Sequence, residues 1–336
     1  MNKIISFTLS FVLLFMVACS KEEGLSVDDG EKGQKLVPVS IMLPGSTTYT
    51  QTRSGDTEIG SEQENKITAL YLTLKFGTEV VKKDIVGTEL NKLINKGAVD
   101  KDGNPKLEVA CEVDFDVWNS VSTIDVTAFA NSKDVPTPIT KEDDLWNNGA
   151  LFMSGHATMS NTGGQIDLVR QVAKLRTKVG RTDDCIPTNL QIKYKEIKIK
   201  VLKVADRSAS LPDSTITGVQ FISYAERNAR NTIETGDYPS SMLVDSCYIH
   251  ENKSATVTTL NIQIPTYDPL TGHTVVLEKD YSIKGIKDHE IERNHIYTLD
   301  IKIRSQKEPL EIFLDVQPWR IEDINVPNLE PVPVAN

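Results

Sequence analysis

The sequence predicts an all-β chain: two antiparallel β-sandwich domains behind a lipoprotein signal peptide. Three observations carry this. Apolar and polar residues alternate with period two in stretch after stretch, helical periodicity is confined to short segments, and Gly, Asn and Asp interrupt the chain at turn positions. Of the 336 residues, about 300 remain once a leader and a tether are set aside, which is ample for two cores.

Residues 1–18 read as the signal peptide. Met1, Asn2 and Lys3 precede an apolar and hydroxyl-rich run from Ile4 to Val17, too short to span a membrane as a mature helix. The run ends in Met16-Val17-Ala18-Cys19, and a cysteine directly after a small residue at this place looks like a lipobox. Cys19 is therefore the expected lipidation site, with cleavage before it and a membrane anchor through its acyl chains. Each buried CH₂ contributes about 0.8 kcal/mol, so several chains hold stably. The following Ser20-Lys21-Glu22-Glu23 resembles the lysine-plus-two-acids signal that sends lipoproteins of the Bacteroidota to the outer face of the outer membrane. Residues 19–35, rich in Gly, Asp, Glu and Lys, read as a lipidated tether.

Residues 36–162 are assigned to the N-terminal sandwich. Val37, Val39, Ile41 and Leu43 alternate with Pro38, Ser40 and Met42, so Leu36 to Leu43 is expected to be a strand, and Pro38, with no N–H to give, places it at a sheet edge. The polar run Thr47 to Glu64 follows, well placed for proteolysis. Strands are then expected over Leu70-Leu72-Leu74-Phe76, Val109 to Val117 and Ile124-Val126-Ala128-Ala130. A short helix over Thr88 to Lys96 would put Leu90, Leu93 and Ile94 on one face, and Lys141 to Asn147 would make a turn or two after Pro138. Met159 to Gln165, with Asn161 and Gly163-Gly164, is the best break between domains.

Residues 163–336 are assigned to the C-terminal sandwich with a tail. The apolar parity switches between Leu190-Ile192-Tyr194 and Ile197-Ile199-Val201, which predicts a β-bulge. Alternation resumes in Leu260-Ile262-Ile264, Tyr297-Leu299-Ile301-Ile303 and Leu310-Ile312-Leu314-Val316.

The net charge of −10 and pI near 5.1 argue against a nucleic-acid partner, which needs clustered cations. Besides Cys19 the cysteines are Cys111, Cys185 and Cys247. An odd count excludes a fully paired framework and leaves room for one bridge, with a Cys185–Cys247 pairing open. Cys111 falls on an apolar strand face and reads as a core residue. His289-Glu290 with His295 has the wrong spacing for a zinc helix. Asp100-Lys101-Asp102-Gly103-Asn104 starts like a calcium loop, but Cys111 stands where the bidentate glutamate belongs, so a hairpin turn is expected. Lys193, Lys195, Lys198, Lys200 and Lys203 are interleaved with apolar residues, as on a solvated strand face. No phosphate loop, nucleophile elbow or catalytic carboxylate pair is recognisable, so no catalytic residue, metal or cofactor is expected.

Six segments in order resemble the fimbrillins, the type V pilins of Bacteroidales. They are Glu64-Asn65-Lys66-Ile67, Phe152-Met153-Ser154-Gly155, Leu168-Val169-Arg170-Gln171-Val172-Ala173-Lys174, Tyr248-Ile249-His250-Glu251-Asn252, Arg293-Asn294-His295-Ile296-Tyr297 and Val316-Gln317-Pro318-Trp319. The resemblance implies transthyretin-like sandwiches, export as a lipoprotein, and assembly after a trypsin-like protease cuts behind an N-terminal arginine. Arg53, followed by Ser54, sits where that cut would fall. The chain would then be a subunit of a surface fimbrium on the cell outer membrane, with other copies of itself and related pilins as partners. On this reading Val37, Val39, Ile41 and Leu43 belong to a displaced strand, and Ile324, Val326, Val332 and Val334 to a donor strand. Pro327, Pro331 and Pro333 are odd-numbered and those four are even, so one edge of the tail could pair continuously. The competing class is a monomeric surface lipoprotein that binds glycan or matrix, and a tip or anchor pilin is a variant of the first.

Overall fold

The computed structural model describes residues 33–44, 62–133, 138–147, 149–212, 214, 216–230, 242–283 and 290–318. They form two β-sandwiches in succession. The first has strands β1 (Gln34–Met42), β2 (Ala69–Phe76), β3 (Glu79–Val86), β4 (Lys106–Asp114), β5 (Thr123–Ala130), β6 (Met153–Ser160), β7 (Gly164–Asp167) and β8 (Val169–Arg170). A three-stranded sheet ordered β4-β1-β7 faces a five-stranded sheet ordered β8-β6-β5-β2-β3. Period-two alternation turns Val37, Val39, Ile41, Leu107, Val109 and Cys111 of one sheet toward Leu70, Leu72, Leu74, Ile124 and Val126 of the other.

The second sandwich has β9 (Val172–Ile186), β10 (Gln191–Ile192), β11 (Lys198–Leu202), β12 (Arg227–Asn228), β13 (Met242–His250), β14 (Thr259–Asp268), β15 (His273–Ser282), β16 (His295–Ser305) and β17 (Glu311–Pro318). One sheet runs β13-β9-β16-β17. In the other, β10 and β11 pair with successive parts of β14, and β15 pairs with the whole of β14. The core joins Leu175, Val179, Ile199, Val201, Ile262 and Ile301.

The short helices α1 (Glu62–Asn65), α2 (Gly87–Asn95) and α3 (Phe115–Asn119) also belong to the first half. In α2, as the spacing predicts, Leu90 is buried and Leu93 and Ile94 are partly buried against the core.

Several expectations are corrected. The alternation read from Val109 to Val117 stops at Asp114, and Phe115 and Val117 lie in α3. The turn at Met159–Gln165 lies inside the first sandwich, because β7 and β8 beyond it still pair with β1 and β6. The parity switch near Tyr194 is larger than a one-residue bulge. Ile192 opposes Thr266 while Lys198 opposes Gln263, and a 3₁₀ turn at Tyr194–Glu196 takes up the excess, with Tyr194 tucked into the core. The sheets are not purely antiparallel, since β1 with β7 and β9 with β16 are parallel. Parallel neighbours need long crossovers, and these two pairs are joined by chain that passes through other strands.

Candidate functional site

The first candidate site is β1 itself. Phe115 N–H donates to Gly33 C=O (3.2 Å) and Leu43 N–H to Pro105 C=O (3.4 Å), so odd-numbered residues turn their backbone polar groups toward β4. The same odd residues point inward: Val37, Val39, Ile41 and Leu43 are all buried, although Leu43 lies one residue past the strand end. Each contributes about 1.5–3 kcal/mol by leaving water.

Even-numbered residues face the other edge. There β7 pairs only with Val39 to Met42, and Met42 C=O accepts from Leu168 N–H at 2.9 Å. The expectation of an edge strand is therefore corrected, because β1 is the middle strand of its sheet. Pro38 is tolerated because its absent N–H faces the edge just before pairing with β7 begins. Gly163 passes close by at φ +114°, where an added Cβ would lie 2.4 Å from Pro38 O. On the outer side a cavity of about 730 Å³ is lined by Leu36, Pro38, Lys83, Glu108 and Trp118 among others. Lys83 Nζ reaches Ala110 C=O (3.0 Å) on the far edge of β4.

The chain leaves β1 beside Leu168 and returns at α1, where Glu64 C=O accepts from Arg170 Nε at 3.4 Å. Both flanks of residues 45–61 are thus held by one short stretch, 168–170. Arg53 and Ser54 fall between those flanks and lie outside the described residues, as do Cys19, Ile324, Val326, Val332 and Val334.

The second candidate is the seam between the sandwiches, where five of the six resemblance segments converge. Arg170, fully buried, donates to Asn294 Oδ1 (2.9 Å) and to Asn65 Oδ1. Lys174 Nζ lies 3.0 Å from Glu64 Oε1, which also accepts from the Tyr248 hydroxyl. Arg293 donates to Glu251 (Nε–Oε2 3.1 Å), to Gln171 Oε1 (2.5 Å) and to Ala209 C=O (3.0 Å). Gln171 donates in turn to Ser154 Oγ, whose own hydroxyl donates to Ser210 C=O at 2.6 Å. Burial pulls the Arg170 pKa down and the Glu64 carboxylate opposes this; burial, reinforced by Glu64, raises that of Tyr248. Pairing and hydrogen bonds offset the cost of dehydrating these charges. Sequence reading used these residues as markers of resemblance and missed that they meet. The available signal was Arg170 and Lys174 set within apolar strand segments.

The remaining candidates resolve simply. Asp100 accepts from the Asn104 side-chain amide (2.9 Å), which does most to lower its pKa, and from the N–H groups of Asn104 and Asp102, each at 2.8 Å, and Val99 bridges Pro105 antiparallel, so the segment is a self-capped turn. His295 opens β16 with its Nδ1 2.9 Å from Arg293 C=O, and His289 lies outside the described residues. No group of metal-binding side chains occurs among the described residues. Cys111, Cys185 and Cys247 are buried free thiols. Cys247 lies opposite Leu175 on β9 and Cys185 is farther along that strand, roughly 30 Å away at the rise of an extended chain, which no disulfide spans. Ile199 and Val201 are buried and alternate with Lys198 and Lys200, so those lysines do lie on an outward face.

No protein-family model and no curated protein matches the chain. Solved structures do. A candidate cell adhesion protein from Parabacteroides distasonis superposes with a TM-score of 0.58 at 13% identity, covering 85% of this chain and 97% of that one. The tip fimbrial protein Mfa3 from Porphyromonas gingivalis, with a C-terminal truncation, gives 0.50 at 14% identity over 84% of this chain and all of that one. The chain thus has the fold of these two proteins, in agreement at the level of architecture with the fimbrillin resemblance.

Proposed function

We propose that the chain is a structural, non-catalytic subunit of a cell-surface fimbria concerned with adhesion. It is exported as a lipoprotein through Cys19, cut after Arg53 by a trypsin-like protease, and polymerised when β1 is exchanged for a strand of another subunit. The carrying observation is the place of β1. It supplies one wall of the first core, yet its covalent link to the rest of the sandwich runs only through residues 45–61. A cut there leaves it held by a ladder and by side-chain burial alone.

The tail shows the same sequence logic as β1. In β1 the residues packed into the first core, Val37, Val39 and Ile41, share one parity and Pro38 has the other, with Met42 also buried at the strand's end; in Ile324 to Val334 the valines and isoleucine are even and the prolines odd. Insertion of one subunit's tail into the next is a heterologous contact that does not close, and so builds a fibre. The related structures support a surface adhesion role through their descriptions as adhesion and tip fimbrial proteins. Because one of them is a tip protein, a terminal position in the same fibre is the second reading.

Mass spectrometry of the protein taken from cells tests the reading. Acylated Cys19 in the precursor and a mature form beginning at Ser54 are expected. A mature form that still carries residues 34–43 in covalent linkage would overturn strand exchange.

A further inference from the structure

The root of the tail and one end of the β1 groove both lie at the seam. β1 ends there, where Met42 C=O accepts from Leu168 N–H at 2.9 Å. A little farther along the chain, Val172 C=O accepts from Asn294 N–H at 2.8 Å, and Arg170 reaches Asn294 Oδ1 at 2.9 Å. Asn294 leads into β16, whose first residue, His295, pairs with Pro318, the last residue of β17. The strand directions agree: β9 and β16 run side by side away from the seam, and β17 runs back to it. Followed residue by residue, the path from Met42 to Pro318 is about 30 Å long, so the straight distance is no greater.

The seam end of the groove is apolar. Ile41 pairs with Leu107 on β4 and with Ile166 on β7, and Leu107, Ile166 and Leu168 are all buried. The chain that follows Pro318 can extend about 46 Å by Val332, and its root-mean-square span over the same residues is about 20 Å. It therefore reaches this end of its own groove. Entering from the seam it runs opposite to β1. Val332 and Val334 then take the places of Leu43 and Ile41, while Pro333 faces the other edge as Pro38 does in β1. Glu330 stays outside Leu43's place. Asn336, next in the same phase, meets Val39's place, where burying its amide costs free energy, so the cover stops at the seam half. Val37's place, opposite Cys111, is left open.

We propose that a processed subunit closes the seam end of its own β1 groove with its own tail until a neighbouring subunit's strand displaces it. This rests on the strand-exchange reading and adds a self-covered monomer before assembly. A tether of this length holds its end at an effective concentration of about 1 mM, so the chain's own tail outcompetes that of a dilute neighbour. Assembly then begins at the open half of the groove, beside Cys111.

The test uses the full chain cut after Arg53 and freed of its leader, the same chain lacking Asn325 to Asn336, and a fluorescent peptide of residues Ile324 to Asn336. Anisotropy reads the affinity of each chain for the peptide. The shortened chain is expected to bind it about 10- to 100-fold more tightly than the full one. Val332→Asp together with Val334→Asp in the full chain should bring its affinity up to the shortened chain's value. The difference should persist when the protein is diluted, since the cover comes from within one chain. Equal affinity of the full and shortened chains overturns the proposal. So does a difference that fades on dilution, because a neighbour then supplies the cover. If neither chain binds the peptide, strand exchange itself fails, and that result is distinct from equal binding.

Discussion

Val37 and Cys111 face each other across the β1–β4 ladder and both point into the first core, with 0% and 1% of their surfaces exposed. The thiol therefore lies beside a buried side chain of the strand that the proposed maturation removes. Burial pushes its pKa up to about 11, so it is inert while β1 stays in place.

The inward phase of β1 should dominate its contribution to stability. Ile41→Ala is expected to cost about 2–5 kcal/mol through the cavity it leaves. Leu36→Ala, at an exposed even position, should cost about 0.5 kcal/mol or less. Urea denaturation of the intact chain separates the two, and similar midpoints for both variants would show that the phase has been misassigned.

Gly163 and Gly103 both adopt positive φ, but only Gly163 has backbone where a Cβ would go. Gly103→Ala should therefore cost about 1 kcal/mol from conformation alone. Gly163→Ala must also push Pro38 aside and should cost clearly more, as a larger fall in the urea midpoint. Equal costs would mean that β1 does not lie against this turn.

The seam makes a different prediction. Glu64→Gln leaves Lys174 without its carboxylate while the Arg170 bond to the Glu64 carbonyl remains, and breaking a buried pair from one side costs about 3–5 kcal/mol. Calorimetry of the variant should show a lowered transition, or two transitions as the sandwiches uncouple. A single transition at the parent temperature would show that the network does not join the halves.

His250 gives the fold an acid sensitivity. Buried beside Asp206 and Arg293, it has its pKa lowered from 6.5 to about 4, chiefly by desolvation. Between those values the unfolded chain holds a proton that the folded chain does not, so stability is present above pH 6.5 and falls as the pH drops toward 4. The loss amounts to about 3 kcal/mol. His250→Phe should flatten that part of a stability–pH curve measured in urea; an unchanged slope would remove His250 as the cause.

The strands most legible in the sequence are those with one face packed against a core. Leu70 to Phe76, Ile124 to Ala130 and Tyr297 to Ile303 alternate because one side of each meets the core and the other meets water. β3 and β15 escaped notice since neither buries a full face, and Val80 and Val276 lie exposed on them. At Phe115 the alternating pattern continues while the backbone turns into α3, so periodicity alone misreads that point. The displaced-strand residues could be named because their burial is written in local alternation. The seam could not, because its partners are far apart in the chain: Arg170 and Asn294 are 124 positions apart, and no local pattern encodes such a contact.

Strand release is tested most directly by alkylation of Cys111 before and after limited trypsin treatment of the folded chain, followed peptide by peptide by mass spectrometry. Cys185 and Cys247, buried in the second sandwich, are internal controls that should stay unmodified throughout. The account predicts a protected Cys111 in the intact chain, first cleavage after Arg53, rapid labelling of Cys111 once the leader has dissociated, and renewed protection when a peptide of residues 34–43 is added back. Cleavage elsewhere with Arg53 left intact, or a Cys111 as protected after the leader has gone as before, would contradict it.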